Sequence, residues 1–355
     1  MTALGAVRKR HRPKRLTHCD LIRLISVMDE LLRIEGLRTI FPGDAGPFAA
    51  VDGVDLTLER GRTLGIVGES GSGKSVLSLS IMRLVPSPGR IAAGSIRFDG
   101  QDLLSLAEPA MRALRGRRIA MIFQEPMTSL NPAHTIGAQI IEAITAHERG
   151  VSPIDLRARA VGALERVRIP DPDRRFDDYP HQLSGGQRQR VMIAMALACA
   201  PDLLIADEPT TALDVTVQAE ILALLHSLQT ETGMALMLIS HDLGLVAGIA
   251  DTVAVMYAGQ VVEQAPSAAL FTDAQHPYTL GLIASAPQAA APRGRLLAIE
   301  GTVPTPADMP VGCRFHPRCA VAAAPCISTP PPMRTFGSRH RAACLRAPVE
   351  ALAPT

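Results

Sequence analysis

The chain has 355 residues, of which 47% are hydrophobic and 20% charged, with a formal net charge of +2. Its longest uncharged apolar run, 191–200, has ten residues, well short of the roughly 18 that a bilayer-spanning helix needs. No secretion signal with a charged start, an apolar middle and a small-residue cleavage site opens the chain. These features exclude a membrane channel and argue against a secreted protein, so we expect a cytoplasmic location.

The first 27 residues are strongly basic. They carry seven Lys or Arg side chains against Asp20, a charge of +6, so the total of +2 leaves −4 for the rest of the chain. Such an arm could contact nucleic acid or anionic lipid. The simpler interpretation is a disordered tail, or a segment that precedes a true start at Met28. We therefore predict a disordered N-terminal arm over 1–27.

Short β-like pieces follow between 31 and 58, interrupted by the turn-rich segment 41–47. This pattern predicts an antiparallel β appendage. The chain has no Trp and few aromatic residues, which makes Phe41 or Phe48 a candidate for stacking on an adenine ring. We select Phe41 as the candidate ATP-binding residue, and packing in the core is the alternative for both rings.

A phosphate-binding loop lies at 68–75, where the sequence Gly-Glu-Ser-Gly-Ser-Gly-Lys-Ser fits G-x-x-x-x-G-K-[ST] between a strand-like run and a helical run. Glycines let backbone N–H groups surround phosphate oxygens, and the helix N-terminus adds positive potential. The lysine is predicted to reach the β and γ phosphates and the last serine to bind Mg²⁺. The predicted ATP-binding residues here are Gly68, Ser70, Gly71, Gly73, Lys74 and Ser75.

Beyond the loop, three more apolar runs end abruptly in polar residues. The runs 119–123, 203–206 and 235–239 are followed by Gln124, by Asp207 and Glu208, and by Ser240 and His241. Nearly continuous apolar strands are typical of a parallel sheet covered on both faces. In such sheets ligands bind beyond the carboxyl ends of the strands. We therefore expect an α/β fold in which these polar residues meet Lys74 at one crevice.

The polar residues at these strand ends suit the chemistry of nucleotide hydrolysis. Asp207 would hold Mg²⁺ directly or through water, and Glu208 would be the general base for the attacking water. His241 could hydrogen-bond the γ-phosphate and position that water. Gln124 places an amide at the crevice edge. The alternatives are a charged exit from the strand for the acids and an ordinary surface position for the other two.

Between the strands, residues from about 125 to 200 have a helical pattern, which predicts an inserted helical subdomain. The signature segment 183–187, Leu-Ser-Gly-Gly-Gln, opens one of its helices. Ser184 is a good N-cap, and Gly185 and Gly186 let an anion approach the first free N–H groups. The segment therefore predicts a second phosphate site.

Taken in order, the phosphate loop, Gln124, the signature segment, Asp207-Glu208, 212–214 and His241 resemble the ATP-binding cassette (ABC) nucleotide-binding subunits. The resemblance implies a P-loop NTPase core over 28–285 with the β appendage and the helical subdomain. It also implies that the signature residues contact ATP bound to an opposite cassette subunit, identical or paralogous. These residues are Ser184, Gly185, Gly186 and Gln187, with Asp214 in the D-loop. In this family Gln124 would sense the γ-phosphate and contribute to the Mg²⁺ site.

The C-terminal part of the sequence indicates which subgroup of this family the chain resembles. From 286 to 355 we predict a Cys/Pro-rich C-terminal extension, which holds twelve of the 28 prolines. Segments 276–279, 301–304 and 312–319 are similar to the oligopeptide and dipeptide importer ATPases, and the resemblance covers about 31–346.

That family implies an ATPase at the cytoplasmic face of the inner membrane. Its partners would be two membrane permease subunits, a second ABC ATPase and an extracytoplasmic solute-binding protein, with no nucleic acid. The loop 125–132 would lie by the groove that receives a permease helix. Nickel, glutathione or another small solute is an alternative cargo. A non-transport ABC ATPase and an iron-sensing regulatory ATPase are alternative functions.

Four cysteines crowd the extension in the pattern C-x5-C-x6-C-x17-C. A reducing cytoplasm disfavours disulfides, and four thiolates suit an iron–sulfur cluster. Some peptide-importer ATPases with this tail bind a [4Fe-4S] centre, so we expect one here, with zinc or no metal as alternatives. The expected ligands are Cys313, Cys319, Cys326 and Cys344, with His316 and His340 as possible replacements.

Overall fold

The computed structural model describes residues 29–44, 46–124, 129–211, 213–285 and 299–348. The predicted arm 1–27, residues 125–128 of the loop expected beside a permease, and 286–298 and 349–355 of the predicted extension lie outside the described residues. None of the helices in the described ranges combines the length and the apolar character needed to cross a bilayer.

The described residues form twelve strands and eleven α-helices. The strands are β1 (Glu30–Phe41), β2 (Phe48–Glu59), β3 (Thr63–Val67), β4 (Arg90–Phe98), β5 (Gln101–Asp102), β6 (Ile119–Ile122), β7 (Leu203–Asp207), β8 (Ala235–Ser240), β9 (Thr252–Tyr257), β10 (Gln260–Pro266), β11 (Arg334–Gly337) and β12 (His340–Ala342). The helices are α1 (Lys74–Ile81), α2 (Glu108–Leu114), α3 (Ile136–Thr145), α4 (Pro153–Arg166), α5 (Pro172–Arg175), α6 (Gly185–Leu197), α7 (Val215–Thr232), α8 (Leu243–Ala247), α9 (Ser267–Thr272), α10 (Pro277–Ser285) and α11 (Ala324–Ser328).

The strands make two sheets. The antiparallel sheet has the order β2-β1-β4-β5, and the main sheet has the order β11-β12-β10-β9-β3-β8-β7-β6. Strands β9, β3, β8, β7 and β6 run parallel, whereas β10, β11 and β12 pair in antiparallel fashion. The predicted α/β fold, with a parallel sheet and an antiparallel appendage, is confirmed. Strands β4 and β5 complete the appendage from a segment beyond α1.

The main sheet is buried on both faces, as its apolar strands require. Along β7, Leu203 and Ile205 belong to the hydrophobic cluster shared with α1 and the antiparallel sheet. Leu204 and Ala206 belong to the cluster shared with the helical segment. Because successive side chains point to opposite faces of a strand, β7 packs against both the helical segment and the layer formed by α1 and the antiparallel sheet. This burial holds the carboxyl ends of the strands in fixed positions.

Helices α3 to α6 lie between β6 and β7 and correspond to the predicted helical insert. Three of them begin at side-chain caps: Thr135, Ser152 and Ser184 accept hydrogen bonds from the backbone N–H groups of their first turns. Such caps satisfy N–H groups that have no partner within the helix.

The C-terminal region, by which we mean the described residues 299–348 of the predicted Cys/Pro-rich extension, also extends the main sheet. Strand β12 pairs with β10 at Ala342 and Glu263 and at Arg341 and Gln264. Its hairpin partner β11 forms the sheet edge. These strands are only three and four residues long, so their hydrophobic pattern is too short to mark them as strands. The region is therefore joined to the main sheet by backbone hydrogen bonds.

Candidate functional site

The phosphate loop connects β3 to α1 and fits tightly between neighbouring backbones. Gly68 has φ 155° and Gly73 has φ 101°. A Cβ at Gly68 would overlap the carbonyl oxygen of Met256, and one at Gly73 would overlap that of Ala50. Only glycine fits these positions. No side chain caps the N-terminus of α1, so its first N–H groups suit phosphate oxygens.

Lys74 lies inside this loop and is 4% exposed. Its Nζ donates to the carbonyl oxygens of Gly68 at 2.7 Å and Glu69 at 2.9 Å. Burial lowers the pKa of Lys74, while the charges of Glu208, Asp207 and Glu69 oppose that shift. The ammonium is therefore held inside the phosphate loop by backbone carbonyls, where an incoming phosphate would meet it.

Asp207 ends β7 next to α1. Its Oδ1 accepts from Ser75 Oγ at 3.2 Å and its Oδ2 accepts from Ser78 Oγ at 3.2 Å. Burial raises the pKa of Asp207, and the two hydroxyl bonds counteract this. A carboxylate and a hydroxyl oxygen side by side suit Mg²⁺, which takes few protein oxygens and completes its shell with water and phosphate. The residues present therefore fit that ion.

Glu208 follows in a left-handed backbone conformation, with φ 47°. Its Oε2 accepts from Thr211 Oγ1 at 2.9 Å and Gln124 Nε2 at 3.2 Å, and it lies 3.3 Å from His241 Nδ1. The hydrogen bond from His241, the largest cause, lowers the pKa of Glu208 to about 2. The same bond raises the pKa of His241. The structure thus brings the predicted Gln124, Glu208 and His241 together around one ionised carboxylate.

The signature segment opens α6 as its cap predicts. Ser184 Oγ accepts from Gln187 N at 3.3 Å, and Gln187 Oε1 accepts from Ser184 N at 3.0 Å, which is a capping box. A Cβ at Gly186 would come within 2.9 Å of Val217 on α7. Among the described residues, no hydrogen bond or ion pair joins this segment to the phosphate loop.

Two other predicted residues have structural contacts of their own. Asp214 caps α7 by accepting from Val217 N at 3.0 Å. Phe41 stacks on Phe48 across the hairpin, with ring centroids 5.9 Å apart and an interplanar angle of 23°, and Gly89 leaves room for its ring. The role of Asp214 in the D-loop and the stacking of Phe41 on adenine stay predictions.

Sequence reasoning missed several residues that contact the site. Ser78 lies one helical turn after Ser75, and Thr211 lies three residues after Glu208, so their spacing could have indicated both. Tyr278 and Arg318 gave no such signal. The Tyr278 hydroxyl accepts from Glu69 N at 2.9 Å, and the Arg318 guanidinium holds the Glu69 carboxylate, although 209 and 249 residues separate these pairs along the chain.

The expected [4Fe-4S] cluster is wrong. In the described part of the chain, no group of three or more His, Cys, Asp or Glu residues could hold a metal ion, which also removes the zinc alternative. The four cysteines line a cavity of about 10 Å³ with Phe315 and His276, about the space of one water. His316 bonds to the carbonyl of Cys313 and His340 bonds to Glu263.

The size of the cavity gives the physical reason, because space for about one water cannot hold four iron and four sulfur atoms. Burial raises the pKa of Cys313 and Cys344, and that of Cys319 to about 11. All cysteines in the described ranges are free. They therefore pack as small apolar side chains.

Two family models match the chain. One, described as ABC transporter, matches residues 51–211, and another, described as oligopeptide/dipeptide transporter, C-terminal region, matches 262–326. The dipeptide transport ATP-binding protein DppD of Haemophilus influenzae is 52% identical over 309 residues, covering 87% of this chain and 93% of that protein. DppD of Escherichia coli is 50% identical over 314 residues, covering 88% and 96%.

A putative peptide import ATP-binding protein of Brucella abortus is 50% identical over 320 residues, covering 90% of this chain and 96% of that protein. Among solved structures, the ATP-binding cassette MJ0796, dimeric in a post-hydrolysis state bound to ADP and phosphate, superposes with a TM-score of 0.60. It is 27% identical and covers 67% of this chain and 99% of its own. The chain belongs to the ABC transporter ATP-binding proteins, in the branch with the oligopeptide/dipeptide transporter C-terminal region.

Proposed function

We propose that this chain is the ATP-hydrolysing subunit that energises a binding-protein-dependent importer of dipeptides or oligopeptides. The observation that carries the proposal is the convergence of Lys74, the oxygen pair of Ser75 and Asp207, and Glu208 at the carboxyl ends of neighbouring parallel strands. The extensive identity to dipeptide transport ATP-binding proteins supports the class of solute.

In this proposal the loop N–H groups and Lys74 bind the phosphates of ATP. Ser75 and Asp207 would hold Mg²⁺, and Gln124, which contacts Glu208, would contribute to that site. When bound, that ion neutralises phosphate charge. Burial of Lys74 and Asp207 keeps both groups in fixed positions, so they bind without a further loss of side-chain freedom. Phe41 would stack on the adenine.

Glu208 is the proposed base for the attacking water. A carboxylate with a pKa of about 2 is ionised at neutral pH, so it is in the form that accepts a proton. Thr211 and Gln124 donate hydrogen bonds to it and His241 contacts it, which fixes its orientation. His241 would also position the attacking water.

The N-terminus of α6 supports a role at the ATP of a second cassette. Ser184, Gly185 and Gly186 present a helix start, and helix starts bind anions. The dimeric state of a similar cassette supports a pair of ATPase subunits. Closing a mostly open pair needs about 5 kcal/mol of differential ATP affinity. Asp214 would lie at the interface of this pair. The pair would bind two permease subunits at the cytoplasmic face of the membrane.

The test is Glu208→Gln, with Glu231→Gln on the exposed surface of α7 as the matched control. We expect Glu208→Gln to bind ATP normally and to hydrolyse it at least about a hundredfold more slowly, whereas the control keeps wild-type turnover. Near-normal hydrolysis by Glu208→Gln would refute its role. The solute class is tested in proteoliposomes that contain the cassette pair, its permeases and the solute-binding protein. ATP hydrolysis without dipeptide uptake there would reject it.

A further inference from the structure

The C-terminal region contacts the phosphate loop at Glu69, a residue that the proposed chemistry does not use. Arg318 Nη1 donates to Glu69 Oε2 at 2.8 Å and its Nη2 donates to Oε1 at 3.1 Å. The Tyr278 hydroxyl accepts from the Glu69 N–H at 2.9 Å. Both the backbone and the side chain of one loop residue are therefore held by residues more than 200 positions away.

The Arg318 side chain is buried, with 6% exposure, and is fixed from several sides. Its Nε donates to Glu300 O at 2.8 Å and its Nη2 donates to Gly301 O at 3.1 Å. Its guanidinium lies 5.7 Å from the centroid of the Tyr257 ring. A bidentate, planar and pre-organised pair of this kind is strong and geometrically specific. Arg318 cannot leave Glu69 without losing the other contacts as well.

The charge of Glu69 gives this pair a consequence for ATP. Glu69 is 27% exposed, and its carbonyl accepts from Lys74. Its carboxylate belongs to the group whose charges act on Lys74, together with Asp207 and Glu208. A carboxylate on a residue of the phosphate loop itself would repel the phosphates of ATP. The guanidinium of Arg318 cancels that charge.

We propose that Arg318 is a positioning residue for ATP: its pairing with Glu69 neutralises a carboxylate of the phosphate loop and holds that carboxylate in place. The inference rests on the proposed ATPase function and deepens it, because it makes the C-terminal region a determinant of ATP affinity. Arg318 acts through Glu69, so it changes the binding of ATP and leaves the chemistry at Glu208 unaltered.

The experiment compares full-length variants by calorimetric titration with Mg-ATP and by steady-state hydrolysis. We expect Arg318→Gln to weaken ATP binding about tenfold and to raise KM by a similar factor, with kcat changed by less than about twofold. Glu69→Gln alone should bind nearly normally. The double variant should recover most of the lost affinity, because neither residue then carries a charge.

Arg339→Gln is the matched control. Arg339 also joins the C-terminal region to the rest of the chain, through an ion pair of 2.9 Å with Glu59. Glu59 ends β2 just before β3, whereas Glu69 follows β3, so this pair lies at the opposite end of that strand from the phosphate loop. We expect unchanged ATP affinity. Arg318→Lys, which keeps the charge, should lose less affinity than Arg318→Gln.

The outcomes separate the two proposals. If the wild-type chain binds ATP and Arg318→Gln binds it with an affinity within about twofold of the wild type, the inference is overturned and the proposed function stands. A double variant as weak as Arg318→Gln would also overturn it, because the loss would then reflect folding and not charge. A wild-type chain that binds no Mg-ATP would overturn the proposed function and the inference with it.

Discussion

A buried carboxylate joins the C-terminal region to the main sheet, and Glu263→Gln tests how much stability it contributes. Glu263 lies on β10 and is 0% exposed. Its Oε1 accepts from Gln275 N at 2.6 Å and from His340 Nε2 at 2.8 Å, and its Oε2 accepts from His276 N at 3.0 Å. One side chain therefore connects β10, the turn before α10, and β12.

The size of the effect follows from these three donors. Glutamine has nearly the same shape as glutamate, but one oxygen becomes an amide group that cannot accept a hydrogen bond. An amide in place of Oε2 leaves His276 N without an acceptor, and one in place of Oε1 leaves two donors without one. Each buried donor left unsatisfied costs about 1–3 kcal/mol. The amide takes the orientation that leaves only His276 N unsatisfied, so we expect Glu263→Gln to lower the free energy of unfolding by about 1–3 kcal/mol.

Chemical denaturation followed by tyrosine fluorescence measures this change. The chain has three Tyr and no Trp, and Tyr257 and Tyr278 are both fully buried, with ring centroids 4.7 Å apart beside the C-terminal region. Glu231→Gln, an exposed substitution of the same kind, should stay within about 0.5 kcal/mol of wild type. If Glu263→Gln is equally harmless, the reasoning from its donors is refuted.

Three further predictions follow from the geometry. Burial lowers the pKa of His276 from 6.5 to about 3, and its Nδ1 accepts from Tyr278 N. Between about pH 6.5 and pH 3, His276 is therefore protonated in the unfolded chain and neutral in the folded one. The free energy of unfolding is greatest above pH 6.5 and falls as the pH falls towards about 3, by up to about 1.4 kcal/mol per pH unit. Denaturation at about pH 7 and about pH 4.5 should show a smaller acid loss for His276→Asn; an equal loss would contradict this. Gly73→Ala should weaken Mg-ATP binding more than about tenfold in titration calorimetry, because a Cβ there overlaps the Ala50 carbonyl, and wild-type affinity would disprove it. Ser184→Ala should destabilise the chain by about 1 kcal/mol in denaturation, through its lost cap, and should lower the ATPase rate of the assembled cassette pair more than ATP binding by the single chain; equal effects would contradict a role at the second nucleotide.

The sequence was sufficient wherever a local pattern fixes the geometry. The apolar runs before Asp207 and His241 predict parallel strands, because burial on both faces leaves no alternation in hydropathy. Strands of that kind end at the same edge, which brings Lys74, Asp207 and Glu208 together. The N-cap at Ser184 could also be predicted from the sequence, since the hydrogen bond that Ser184 Oγ accepts from Gln187 N spans only three residues.

The sequence was insufficient where distant segments meet. The spacing of the cysteines gave four thiols in one region, and the structure does bring them to one cavity. The spacing did not give the size of that cavity or the burial of the thiols around it. The pairing of Arg318 with Glu69 depends on how the C-terminal region packs, and no motif or hydropathy pattern around either residue indicates it. A contact between residues 249 positions apart cannot be predicted from a local sequence pattern.

Aromatic rings pack the C-terminal region against the elements that hold the phosphate loop. Phe315 contacts both Tyr257 and Tyr278, with ring centroids 5.2 Å and 5.3 Å apart. Tyr257 ends β9 beside the phosphate loop, and Tyr278 binds Glu69. Large buried rings resist displacement because they lose both packing and burial when they move. A change that loosens Phe315 should therefore lower stability and ATP affinity together, whereas a change at the β11 edge should lower neither.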